Sequence, residues 1–317
     1  MKKIVLVFLV FSAFLFANDR ILYNIVKNVS IPNTQKAITD AKVLQKDFSD
    51  ENFTQFLKSW KKVEALYLAG DLDSDFIDTP RYIDVFNNLK EDLNSQMQRV
   101  LENNGDLSSA LFKSSFKTVN ALEYVFYGNK DDSERKKQIS KLILDSIIAH
   151  LEDINIVYKE FLNLDEKDAK PQLEQNALVI NTLIASSYRL KEWRVGNASG
   201  MSLKYKNDAK NDRAEYFLSQ NSFEAINAIL EAHSEIIDDK NYYNLASLAK
   251  SKSAVNDIEL ARNKIKEAQE ILKKLKKDDF SNAKDLFIKV KELHDAYYLV
   301  IIEKLGLSPN ILDADGD

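Results

Sequence analysis

Turn-forming residues are nearly missing from this chain, which has only 7 glycines and 4 prolines among 317 residues. A fold rich in tight turns or strands needs many more of both, so few, long helices are favoured. The apolar residues recur at helical spacing. Phe53, Phe56, Leu57, Trp60, Val63 and Leu66 follow a 3.6-residue period from Asp50, and Gly70 is a natural stop. "DTPRYIDVFNNLKEDLNSQMQRVLENNG" reads as one helix, with Thr79 as N-cap, Pro80 in the first turn and Gly105 beyond the end. "DLSSALFKSSFKTVNALEYVFYG" reads as a third helix that stops at Gly128, and residues 131–162 as a long fourth. "LEQNALVINTLIASSYRLKEWRVG" is the next, ending at Gly196, and "NASGMSLKYKNDAKNDRA" reads as a loop. Three more helices fit at about 222–238, 242–276 (with a break near Ser251–Ser253) and 281–305. No period-2 strand appears, so the expected fold is all-α, two four-helix-like bundles in series. The polar stretch "DEKDAKPQ" places the change of domain, giving 18–165 and 166–317.

The first 17 residues, "MKKIVLVFLVFSAFLFA", have two lysines, an apolar run and a small residue at the end, the layout of a cleavable secretory signal peptide. Cleavage before Asn18 gives an exported chain expected in the periplasm or cell envelope, with no membrane span in the mature part. Losing Lys2 and Lys3 takes the formal net charge from -5 to -7. An acidic chain gives no reason to expect nucleic acid as a partner. There is no cysteine, which excludes disulfides, thiolate metal sites and a cysteine nucleophile. The only histidines are His150, His233 and His294. No phosphate-binding glycine loop, dinucleotide fingerprint or G-x-S-x-G elbow occurs.

The polar groups that stand out lie within or beside apolar helical runs. Asn120 and Glu123 share one helical face in "TVNALEYVFYG". They read either as a buried hydrogen-bonded pair that orders the bundle interior or as part of a ligand site, with Glu123 the candidate metal ligand. The pair alone does not make a zinc site, which takes three or four protein ligands. Trp60 and Glu64 also share a face. Glu64 is either a second carboxylate for such a site or a solvated charge beside a core aromatic. Asp78, Arg81 and Asp84 are spaced at three in "DTPRYID". They form either helix-end pairs or a cluster that binds an anion or orders the site. Arg189 and Arg194 flank Trp193 near a helix C-terminus, where the dipole favours cations. With Arg81, they are the expected partners of a buried Glu123. Asp313, Asp315 and Asp317 make a small acidic end that lacks the full loop of an EF-hand.

Several of these stretches together resemble the imelysin family. "NALEYVFYG" is similar to the helix end that carries its G-x-H-x-x-E signature, "LKEWRVGNASG" to its Arg-x-Gly segment, "DTPRYID" to its Asp/Pro-containing segment, and "DADGD" to its acidic chain end. The order and spacing agree from about Asn18 to Asp317. The resemblance implies two helical bundles with a site between them, export, and a link to iron acquisition. It also implies, as an alternative, a metal-dependent peptidase. The cation it suggests is iron, whereas the amide and carboxylate oxygens of the candidates themselves suit calcium, and the partners it implies are envelope iron-uptake components. Here the signature's Gly position is Thr118 and its His position is Asn120, and only Glu123 keeps the family residue. A peptidase therefore needs another imidazole, from His150 or His233. The reading favoured is a non-catalytic binding or accessory protein, with an envelope interaction module as the third possibility.

Overall fold

The computed structural model describes residues 20–306, except 88–90, 104, 129–132 and 166–169. The signal segment, the acidic end at 313–317 and the domain boundary at 166 lie outside the described residues. Every regular element among the described residues is helical. None of these helices is long and apolar enough to cross a membrane.

The periodicity reading starts at Asp50, but the structure has a helix before it. Segments Ile21–Ile25, Val26–Ser30 and Ile31–Lys46 run on as one rod, α1, with a π turn in the middle. Pro32 follows that turn. It has no N–H to donate, and a local change of hydrogen-bond register is a common way for a helix to absorb such a residue. Helix α2, Asp50–Ala65, starts where the Ser49 side chain accepts from the Asn52 N–H. Phe53, Phe56, Leu57 and Trp60 on its inner face are fully buried.

The expected helix from Thr79 to about residue 104 is two helices. A short turn of helix, Thr79–Ile83, ends at Asp84, and a new helix, α3, Leu93–Glu102, begins at an Asp92 cap. Asp84 is extended, with φ -144° and ψ 124°, and Asn87 is left-handed at φ 61°. Two side chains replace the missing helical bonds. The Val85 N–H donates to Asn120 Oδ1 at 2.7 Å, and the Phe86 N–H to Asp84 Oδ1 at 2.9 Å.

The third expected helix is also interrupted. Short helical turns at Leu107–Ala110 and Ser114–Lys117 precede α4, Val119–Glu123, which leads into a π turn at Tyr124–Gly128. Thr118 is the N-cap of α4, its hydroxyl accepting from the Ala121 N–H. Helix α5, Glu134–Leu162, is capped by Ser133 and matches the pattern.

Helix α6, Gln172–Arg189, continues through a π turn at Leu190–Gly196 and a last turn at Asn197–Ser199. Gly200 ends it at φ 70°, where a Cβ would lie 2.7 Å from the Ala209 nitrogen. The chain then loops to α7, Ser222–Ile237. Helices α8, Leu245–Ser251, and α9, Val255–Leu272, are separated at the expected break, where Ser253 is left-handed. Helix α10, Lys284–Asp295, continues in helical turns to Leu305.

In the first bundle α1 packs on α2 and α5, and in the second α9 packs on α7 and α10 while α6 packs on α10. The two bundles share a broad seam. Helix α2 lies along α7, and the first turns of α1 lie on α6. This places the inner face of α2 against residues from both halves.

Candidate functional site

Lys61 follows Trp60 on α2 and is fully buried. It falls on the apolar stripe, at i+4 from Leu57 and i+8 from Phe53. A buried ammonium is costly unless its charge and donors are matched. Here all three donors of the ammonium are used. Lys61 Nζ bonds Glu64 at 2.7 Å, Asp84 at 2.7 Å and Glu215 at 2.5 Å. These partners come from α2, from the break after Thr79–Ile83, and from the loop between α6 and α7. The Tyr216 ring lies 5.0 Å from the same nitrogen.

Arg194 closes the cluster from the other side. Its Nε donates to Glu215 Oε2 at 2.8 Å, and its Nη2 to both Glu64 oxygens at 2.8 Å. Arg194 sits in the π turn that extends α6. In a regular α-helix, residues 189 and 194 would point about 140° apart. A π turn closes i→i+5 bonds, which brings residues five apart nearly into line. Arg189 and Arg194 therefore both turn towards the seam.

Asp84 anchors the centre. Its Oδ2 accepts from Lys61, from the Trp60 indole at 3.1 Å and from the Tyr216 hydroxyl at 2.6 Å. Tyr216 is held in the left-handed region at φ 58°, an uncommon place for an aromatic residue. Burial opposes ionisation of Asp84. Lys61, Tyr216 and the Phe86 N–H overcome it and hold the carboxyl well below the usual range. Burial likewise opposes the Lys61 charge, and Asp84, Glu215 and Glu64 outweigh it, so its pKa is raised. Burial pushes the Glu215 carboxyl up, against the pull of Arg194 and Lys61.

Glu64, Asp84 and Glu215 are the carboxylates among the described residues that converge closely enough to share a metal ion. A calcium or magnesium ion takes oxygen ligands at about 2.0–2.6 Å. The Lys61 ammonium already sits at the point of convergence, 2.5–2.7 Å from an oxygen of each. As arranged, the trio holds an ammonium, and a divalent cation does not fit beside it.

Asn120 and Glu123 lie behind this cluster. Glu123 is buried, 6% exposed, and its Oε1 accepts from the Ser219 N–H at 2.9 Å and the Ser219 hydroxyl at 2.7 Å. Burial pushes its carboxyl up to about 7. Ser219 opposes the rise, and the charges of Glu215 and Asp84 add to it. The expected cationic partners are therefore corrected. Arg194 is committed to Glu64 and Glu215, Arg81 pairs with Asp78 at 3.4 Å on the exposed rim, and Glu123 is bonded by a serine. Asn120 spends its carbonyl on the Val85 N–H. The pair thus fixes two chain segments, 84–86 and 215–219, that deliver Asp84 and Glu215 to Lys61.

Glu64 is not a solvated charge, since its side chain is 18% exposed and holds both Lys61 and Arg194. The histidines lie elsewhere. His150 stacks on Tyr82, and His233 is fully buried with Nε2 2.9 Å from the Ser186 hydroxyl. Burial, then the Arg189 charge, takes His233 down to about 3. His294 Nδ1 lies 3.0 Å from the Ser187 hydroxyl.

A cleft of about 430 Å³ opens on the cluster. Glu64 and Asp84 form part of its floor, Asp78 and Arg81 part of its rim, and Leu178, Arg189 and Trp193 line the side contributed by α6 and its π turn. Lys61, Glu215, Tyr216 and Ser219 were not singled out by the sequence. A signal existed for Lys61, a charge on the apolar stripe of α2. None existed for the other three, which lie in a non-periodic loop.

No curated protein matches the chain. Among solved structures, an imelysin-like protein from Psychrobacter arcticum 273-4 superposes with a TM-score of 0.75 at 14% identity, over 91% of this chain and 95% of that one. At that identity the likeness shows the fold alone. The family model described as Imelysin matches residues 23–294. A match over most of the length, with the bundles and the G-x-H-x-x-E-like segment in place, makes this chain a member of the imelysin family.

Proposed function

We propose that this protein is an exported, non-catalytic member of the imelysin family that binds a ligand in the cleft between its two bundles and serves iron or other metal acquisition at the cell envelope. One observation carries the non-catalytic part: the groups a metallopeptidase would use are already spent. The three carboxylates are filled by Lys61 and Arg194. The residue at the signature's His position caps a backbone N–H, and Glu123 is bonded to Ser219. A zinc peptidase needs three protein ligands with an open fourth position. The two bundles supply a cleft of the size small ligands occupy, roughly 300–1,000 Å³. Export is supported by the lysine-led apolar segment at 1–17, and the link to metal acquisition by family membership alone.

The test is made on protein recovered from the envelope fraction of its own cells, beside a Glu123→Ala variant. N-terminal sequencing should begin at Asn18, and neither form should cleave a mixed peptide library. Chelator-sensitive peptide cleavage that is lost in Glu123→Ala would overturn the non-catalytic reading and restore the metallopeptidase. Bound metal that survives in Glu123→Ala would remove Glu123 from the list of ligands. Full-length chain found only in washed membranes would overturn release by a signal peptidase.

A further inference from the structure

Arg189 is the cation lining the cleft that makes no bond to the described residues. It ends the regular part of α6, is half-buried, and lines the cleft. Among the described residues none gives it a hydrogen bond or a contact ion pair. Burial lowers its pKa, Glu64 opposes that, and Arg194 adds to it. A guanidinium stays charged in proteins regardless, and it carries five N–H donors in a planar fork.

Glu64 acts on this charge from a distance but does not satisfy the fork. Its two oxygens are already held by Lys61 and Arg194. Asp84 is occupied by Lys61, Trp60 and Tyr216, and Asp78 by Arg81. Asp71 is the remaining acid of the wall. Burial pushes its carboxyl up, with Lys170 opposing, which weakens the repulsion it offers an anion. The donors of Arg189 are therefore left to whatever enters the cleft.

We propose that the cleft binds a small organic carboxylate, with Arg189 as its bidentate anchor. A single planar guanidinium matches one carboxylate through two parallel N–H···O bonds. A phosphate, with more charge, calls for a second cation, and the others near the cleft are engaged: Arg81 and Arg194 are paired, Lys61 is buried among three carboxylates, and Lys170 bonds the Asp71 carbonyl. Tyr67, Ile77, Leu178 and Trp193 on the walls suit the carbon body of such a ligand. The carboxylate has two natural sources, a metal-chelating organic acid or a peptide C-terminus. The inference rests on the cleft being a binding site, and it does not need a metal.

The experiment titrates the full mature chain, dialysed free of metal, by calorimetry. The probes are citrate, Fe(III)-citrate, and an acetylated tripeptide as free acid and as amide. Saturable binding of citrate or of the free-acid peptide is expected, with none of the amide. Arg189→Gln is expected to weaken that binding by roughly tenfold or more, the worth of a charge-assisted hydrogen bond. Arg189→Lys, which keeps the charge and loses the fork, is expected to fall between. Thermal melts of both variants establish that they fold, and if the Gln variant does not, the Lys variant carries the comparison. No binding of any probe at low millimolar concentration, or equal binding by wild type and variants, overturns the inference. The link to metal acquisition fails separately, if Fe(III)-citrate binds no more tightly than citrate.

Discussion

Glu123 is a buried carboxyl bonded by a neutral serine, and this should leave a signature in the pH dependence of stability. Its ordinary value is 4.5, and burial takes it to about 7 in the folded chain. Between those values the folded chain keeps a proton that the unfolded chain has released. The associated stability is present in full below pH 4.5 and is lost as pH rises to about 7. At about 1.4 kcal/mol per pH unit, the loss between pH 5 and pH 8 is about 2–3 kcal/mol. Because Glu123 is 6% exposed, solvent screening takes little from this figure. The perturbation is Glu123→Gln. The amide oxygen can still accept both bonds from Ser219, and the group no longer titrates. Urea unfolding of both proteins, followed by tryptophan fluorescence at pH 5 and pH 8, gives four free energies. Taking the difference of differences removes every other titrating group. The variant should gain about 2–3 kcal/mol on the wild type between the two pH values. Parallel pH curves would refute the reasoning. They would mean that Glu123 is ionised in the fold at ordinary pH, with its charge matched by something other than Ser219.

Three further outcomes follow from the same geometry. Asn120→Ala leaves the Val85 N–H without its acceptor and should cost roughly 1–3 kcal/mol in urea unfolding, and a cost near zero would mean that the chain at 84–86 finds another partner. Lys61→Ala strips the cluster of its fully buried central charge and should cost about 3–5 kcal/mol; millimolar calcium should then raise the melting temperature of the variant and not of the wild type, and an equal response would show that the ammonium does not occupy the cation position. Gly200→Ala puts a Cβ at φ 70° against the backbone of Asp208 and Ala209, and a thermal melt should show a loss exceeding about 1 kcal/mol; an unchanged melt would mean that the loop yields freely.

The helices that the sequence made legible are those whose signals are local. Ser49 caps α2, Ser133 caps α5, and an apolar stripe runs from cap to end in each, interrupted in α2 by Lys61. The split between α8 and α9 was legible too, because it falls at a cluster of serines within an otherwise helical pattern. The break at Asp84 was not. Ile83, Phe86 and Leu93 keep a helical spacing through it, so no local signal competes with one continuous helix. What stops the helix is tertiary: an amide from 35 residues further on accepts the Val85 N–H, and an ammonium on α2 draws the Asp84 carboxylate inward. Propensity is a weak prior against bonds of that strength.

Asn120, which departs from the family signature, is also held by a tertiary bond. Position 120 needs a hydrogen-bond acceptor for the Val85 N–H, and that requirement is structural. An amide oxygen meets it, and so does the unprotonated nitrogen of a neutral imidazole. Exchange between His and Asn there can keep the chain break, and with it the delivery of Asp84 to Lys61. Glu123 then fixes the second segment through Ser219, whose hydroxyl also bonds the Tyr216 carbonyl at 3.2 Å, next to Glu215. The two signature positions therefore act on the charged centre through the backbone segments they hold. The centre itself is built from Lys61, Glu64, Asp84, Arg194 and Glu215, drawn from both bundles. The charge at the seam is set by those five, with the guanidinium of Arg189 beside them, and position 120 touches it through the Val85 N–H that follows Asp84.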